Sequence, residues 1–60
     1  MDTLVVYHES GFTRYPGYGQ HIRIETEGGQ LRIFEKERER GSESIKAIYQ
    51  QWERVEVEKG

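Results

Sequence analysis

Cysteine is absent from this chain of sixty residues, and proline occurs once. Without cysteine there is no disulfide framework and no thiol chemistry, which fits a reducing compartment. No apolar run approaches the ~18 residues of a membrane span, and Met1-Asp2 opens neither a basic nor an apolar leader stretch. The expectation is a cytoplasmic chain, neither secreted nor membrane-bound. An excess of basic charge is also missing, since nine Lys and Arg against eleven Asp and Glu leave a net charge of −2. Phosphate neutralisation supplies most non-specific affinity for nucleic acid, so this balance disfavours a basic nucleic-acid coat. Hydrophobic residues make up 33% of the chain, and a domain this short buries only ~60% of its unfolded surface. One domain spanning residues 1–60 is expected, with a core marginal enough to favour a homodimer.

Residues that carry chemistry are scarce. His8 and His21 are the only histidines, at no metal-ligand spacing, so no metal is expected. Gly11, Gly17 and Gly19 form neither a Walker loop nor a dinucleotide-binding turn, so no cofactor is expected. Glutamates are plentiful, but a small sheet offers little concave, desolvated space in which to shift their pKa values. The chain is therefore read as no enzyme.

What is present is a hairpin. His21 to Phe34 alternates on both sides of Gly28-Gly29, and two glycines accept the positive φ angles of a tight turn. A Gly28-Gly29 loop sets Ile24 opposite Ile33, Thr26 opposite Leu31 and Glu25 opposite Arg32, whereas a one-residue slip sets Arg23 against Arg32. In the favoured register Ile22, Ile24, Leu31 and Ile33 share the core face, and His21, Arg23, Glu25, Arg32, Phe34 and Lys36 share the other. Thr3 to His8 reads as a central strand, apolar on both faces. Glu9 to Gln20 reads as a long loop, with Pro16-Gly17 suited to a type II turn. The sign-alternating Glu35 to Arg40 run reads as a protruding strand end that extends the Lys36 face with Arg38 and Arg40.

Gly41-Ser42 reads as a break followed by a helix cap. Ile45, Ile48, Tyr49, Trp52 and Val55 recur at helical spacing, which predicts a helix from Ser42 to about Glu56. The Val55-Glu56-Val57-Glu58 alternation offers a short C-terminal strand as the alternative. The expected fold is therefore α+β: a small antiparallel sheet with one amphipathic helix covering the Ile22, Ile24, Leu31 and Ile33 face.

Candidate contact residues follow from the aromatic distribution. Phe12, Arg14, Tyr15 and Tyr18 fall in the expected loop, and Tyr7, Arg23, Arg32 and Phe34 fall on the sheet face away from the helix, continued by Lys36, Arg38 and Arg40. Tyr and Arg are enriched in binding hot spots because they combine contact area with directional hydrogen bonds. The competing reading makes the aromatics a second miniature core, with Arg23 stacked on Phe34. The expected function is to cover a protein partner, as small inhibitors and accessory factors of phages and mobile elements do. The alternative is RNA or single-stranded nucleic-acid binding, with Tyr7 and Phe34 stacking bases and the arginines holding phosphates.

Gly29-Gln30-Leu31-Arg32-Ile33, followed after a gap by Ile48-Tyr49-Gln50, is similar in type and spacing to the hairpin and helix of the CsrA/RsmA translational regulators. That resemblance implies a dimeric, sheet-rich RNA binder. The chain lacks that family's basic first strand with its Gly-Glu turn, and Glu37 to Ser44 stands where the family places a strand. No residue's role is carried over from it.

Overall fold

The computed structural model, which describes all sixty residues, contains six strands and no helix. They are β1 (Asp2–His8), β2 (Gly11–Tyr18), β3 (Ile22–Glu27), β4 (Gln30–Lys36), β5 (Glu43–Tyr49) and β6 (Arg54–Glu58). They form one mixed sheet in the order β5-β4-β3-β2-β1-β6. All pairings are antiparallel except β2 with β3, which meet in a single parallel bridge between Tyr18 and Ile22. Two antiparallel triplets, β6-β1-β2 and β3-β4-β5, therefore join at a corner. The Gly17 carbonyl accepts from both the Gln20 and His21 N–H groups, each at 3.0 Å, and so holds that corner. Gly17 has φ 94°, and any Cβ there would collide with the His21 ring, so only glycine fits.

The sheet must curl. Neighbouring strands lie ~4.8 Å apart, so the outer strands of a flat six-stranded sheet would stand ~24 Å from each other. β5 and β6 occupy those two ends, yet the Gln50–Glu53 link lets Tyr49 and Arg54 separate by at most ~17 Å. Curling brings the inner faces of the triplets together. Leu4 and Val6 of β1, Tyr15 of β2, Ile22 of β3, and Leu31 and Ile33 of β4 form the buried cluster, with Tyr18, Ile24, Ala47, Tyr49, Trp52 and Val55 packed around it. The Tyr15 and Tyr49 hydroxyls meet at 2.5 Å across this interior, and burial, reinforced by that hydrogen bond, pushes the Tyr15 phenol well above its ordinary value. The link itself is pinned, as Trp52 Nε1 donates to the Gly29 carbonyl at 3.0 Å and the Glu53 N–H to the Tyr7 carbonyl at 2.8 Å.

The hairpin has the expected register, with Ile24 opposite Ile33, Glu25 opposite Arg32 and Thr26 opposite Leu31. Gly28 and Gly29 take φ angles of 57° and 79°, as the tight turn requires. The α+β expectation is overturned. Ser42 to Glu56 is not a helix but the end of a turn, β5, the link and the start of β6. A bulge explains the helical spacing: Ile33 faces Ala47 while Phe34 faces Ile45, so Lys46 is an extra residue and Ile45 and Ile48, three apart, both point outward. The Glu9–Gln20 loop is likewise corrected, because Gly11–Tyr18 pairs with β1 and Pro16-Gly17 forms an irregularity inside β2 instead of a turn. The strand expected to run to Arg40 stops at Lys36, and Arg38 and Arg40 sit in the β4–β5 turn. The core face of the hairpin is covered by the other triplet.

Leu31 and Ile33 are fully buried while Ile48 is 48% exposed. Leu31→Ala or Ile33→Ala should cost ~2–5 kcal/mol in chemical denaturation, and Ile48→Ala should stay within about 0.5 kcal/mol of wild type. A helix packed through Ile48 would reverse that order.

Candidate contact surface

Each triplet carries a central strand crossed by an arginine on its outer face. In β3-β4-β5, Arg23 on β3 reaches over Phe34 on β4 to Glu43 on β5. Its guanidinium carbon lies 4.2 Å from the Phe34 ring centroid. Nε and one terminal nitrogen donate to the two Glu43 oxygens at 2.5 and 2.6 Å, and the other terminal nitrogen donates to Glu25 at 2.5 Å. The planar fork of arginine matches a carboxylate in this two-bond geometry. In β6-β1-β2, Arg14 on β2 passes over β1 to Glu58 on β6 at 3.0 Å, with Phe12 4.8 Å away. Val5 of β1, on this outer face, is only 2% exposed.

Residues expected on one face are thus divided between two. Tyr7, Phe12 and Arg14 lie on the β6-β1-β2 face, with Tyr7 and Phe12 6.0 Å apart and Arg54 stacked 4.0 Å over Tyr7. Arg23, Arg32, Phe34 and Lys36 lie on the β3-β4-β5 face. Tyr15 is buried and Tyr18 half-buried against the same core, so both belong to the interior. The Arg23–Phe34 stack is present, but no second core forms over Tyr7 and Phe34, which lie on different triplets while Tyr15 and Tyr18 pack into the main interior. Sequence reasoning missed Arg54, Glu43, Ile45 and Ile48 as members of these faces. The Arg54 position was legible from the Val55–Glu58 alternation, and the two isoleucines were hidden by the bulge.

The two faces differ in what they leave exposed. On β6-β1-β2 the polar groups satisfy one another, with Arg14 paired to Glu58, Arg54 to Glu56 at 3.1 Å and the Tyr7 hydroxyl donating to Glu56 at 3.3 Å, and one large apolar side chain, Phe12, is left 52% exposed beside Arg14. On β3-β4-β5 the edge strand exposes Ile45 by 53% and Ile48 by 48%, beside half-buried Phe34. Arg32 pairs loosely with Glu27 at 3.7 Å, and with the Arg23 pairs to Glu25 and Glu43 it borders that apolar centre. At the far end Gly19, Gln20, His21, Arg23, Lys36 and Glu43 line a shallow groove. No group of three or more His, Asp or Glu side chains gathers as a metal would need, and no helix is long and apolar enough to cross a membrane. No protein-family model, curated protein or solved structure matches the chain.

The arginine crossings give a pH dependence. Hydrogen bonds from Arg23 and Arg14 hold the Glu43 and Glu58 carboxyls below their ordinary value of 4.5. A carboxyl depressed in the folded state contributes stability that is present above its unfolded pKa and lost as pH falls through the folded one. The thermal midpoint should therefore drop on acidification below about pH 4.5. Glu43→Gln/Glu58→Gln should be less stable than wild type at neutral pH and lose less between about pH 5 and pH 3. Equal acid sensitivity in wild type and variant would show that other carboxyls set the transition.

Proposed function

We propose that this chain is a non-enzymatic binding protein that covers a protein partner with the outer face of β3, β4 and β5. The observation that carries this reading is the exposure of Ile45 and Ile48 side by side with Phe34. A single exposed apolar residue means little, but a contiguous group inside a rim of satisfied ion pairs has the anatomy of an interface, in which desolvated apolar anchors supply the energy and the rim excludes water. Arg23 holds Phe34 in place before any partner arrives, so less ordering entropy remains to be lost on binding. Such a surface suits a small inhibitor or accessory factor, whose action is occlusion and needs no chemistry.

The alternative, a nucleic-acid surface, is less well supported by the same geometry. Arg14, Arg23 and Arg32 each face a carboxylate within the chain, so a phosphate would first have to displace it. Tyr7 and Phe34, the expected base-stacking pair, lie on different triplets and each already bears an arginine.

The test is capture from native lysate treated with nuclease. Ile45→Asp/Ile48→Asp, folded by circular dichroism, should lose the captured protein, and Tyr7→Ala/Phe12→Ala should keep it. Recovery only without nuclease, or equal capture by both variants, would overturn the proposal.

A further inference from the structure

Nine lysines and arginines are present, and six of them, Arg14, Arg23, Arg32, Lys46, Arg54 and Lys59, are engaged in ion pairs within the chain. The three that are not, Lys36, Arg38 and Arg40, all fall at one end of the β3-β4-β5 face. β4 ends at Lys36, and the turn that follows carries the other two. Glu37 and Glu39 lie between them, so the stretch sums to +1, three cations less two carboxylates. That is too little for long-range steering but enough for contact at close range.

The outer face is built in rows. Arg32 faces Ile48, Phe34 faces Ile45, and Lys36 faces Glu43. Successive rows stand about 7 Å apart, the distance between alternate residues of any extended chain. An extended segment lying along β5 therefore presents every second side chain to the next row. The first two rows offer it apolar surface. The third offers Lys36, because Glu43 is already held by two bonds from Arg23. The bulge at Lys46 interrupts the open edge of β5, which disfavours plain strand addition and leaves recognition to side chains on the face.

We infer that this face takes an extended segment of a partner protein with two apolar side chains two residues apart, followed two residues later by a run of acidic ones that meet Lys36, Arg38 and Arg40. This deepens the protein-binding reading above and rests on it. The apolar pair supplies most of the affinity. The acidic run fixes direction along β5, because the reverse orientation would set it on the Glu25 and Glu27 end of β3.

Three labelled peptides test this by fluorescence anisotropy against the full chain: Ile-Thr-Val-Thr-Asp-Ser-Asp-Asp, and versions with serine or with lysine in place of every aspartate. Affinity should fall from the aspartate to the serine to the lysine peptide, with roughly tenfold between the ends, since each exposed ion pair changes affinity by a few-fold. Lys36→Ser/Arg38→Ser/Arg40→Ser should erase the difference, and Ile45→Ser/Ile48→Ser should abolish binding of all three. Equal affinity for the three peptides would overturn the acidic requirement and leave the apolar face standing. Binding of none would overturn the segment itself, while the lysate capture still judges the face. Tighter binding of an oligouridylate, lost in the triple variant, would assign the cations to nucleic acid and overturn the inference. A dimer in sedimentation that Ile48→Asp dissociates would do so too, since a second copy would then occupy the face.

Discussion

Four residues, Gln50 to Glu53, join strands at opposite ends of the sheet, and the rest of the molecule follows from that connection. A flat sheet of these strands would expose both faces to water and have no interior. Because the link is short, β5 must return to the side of β1 and β6, and the inner faces of the triplets become each other's core. Tyr49 shows the result: its hydroxyl meets that of Tyr15 from β2, and its ring stacks on His8 from β1 at 5.4 Å between centroids. Trp52, in the link itself, closes the same layer through the Gly29 carbonyl. Six buried side chains then suffice for the interior, since each strand commits only alternate residues to it and leaves the rest for the surface.

That surface is organised by a repeated device. Arg14 and Arg23 each leave an outer strand, cross the central strand of their triplet and end on a glutamate of the opposite strand. Neither ion pair is deeply buried, and exposed pairs stabilise little alone. Their effect is instead to cover Val5 and Phe34 and to fix the polar groups around them. The difference between the faces comes from the third strand. β6 presents Arg54, Glu56 and Glu58 outward, so its strand adds charge to a face on which Phe12 is the one exposed large apolar side chain, whereas β5 adds Ile45 and Ile48 as an exposed pair next to Phe34.

Legibility in the sequence tracked how local each determinant was. The Gly28-Gly29 hairpin and its register were readable because turn geometry, alternation and charge pairing all act within fourteen residues. The Thr3 to His8 run was readable as a strand apolar on both faces, and Val5 is indeed buried on the outer side. The Ser42–Glu56 helix failed because one bulged residue shifts the phase of a strand by one, and two outward residues on either side of a bulge stand three apart, as on a helix. Nothing local separates those two origins of the spacing. β2 was missed because Gly11, Pro16, Gly17 and Gly19 resemble loop composition, whereas its pairing with β1 is set by Leu4 against Tyr15 and Val6 against Thr13. For the contact surface, the Arg23 and Phe34 stack was legible once the hairpin was placed. The same spacing assigns Ile45 and Ile48 to the core, whereas the bulge turns both outward.

The bulge also bears on how an exposed edge is tolerated. β5 has a neighbour on one side only, and an edge strand with two outward isoleucines invites uncontrolled pairing with other chains. Lys46 occupies the extra position, and its ammonium is drawn toward Glu35 at 3.5 Å. Such an insertion breaks the regular ladder of unpaired backbone groups that another strand would need and leaves the isoleucines accessible from the face. One inserted lysine thus accounts for the misleading periodicity, the interrupted edge and the outward placement of both side chains on which the proposed contact surface depends.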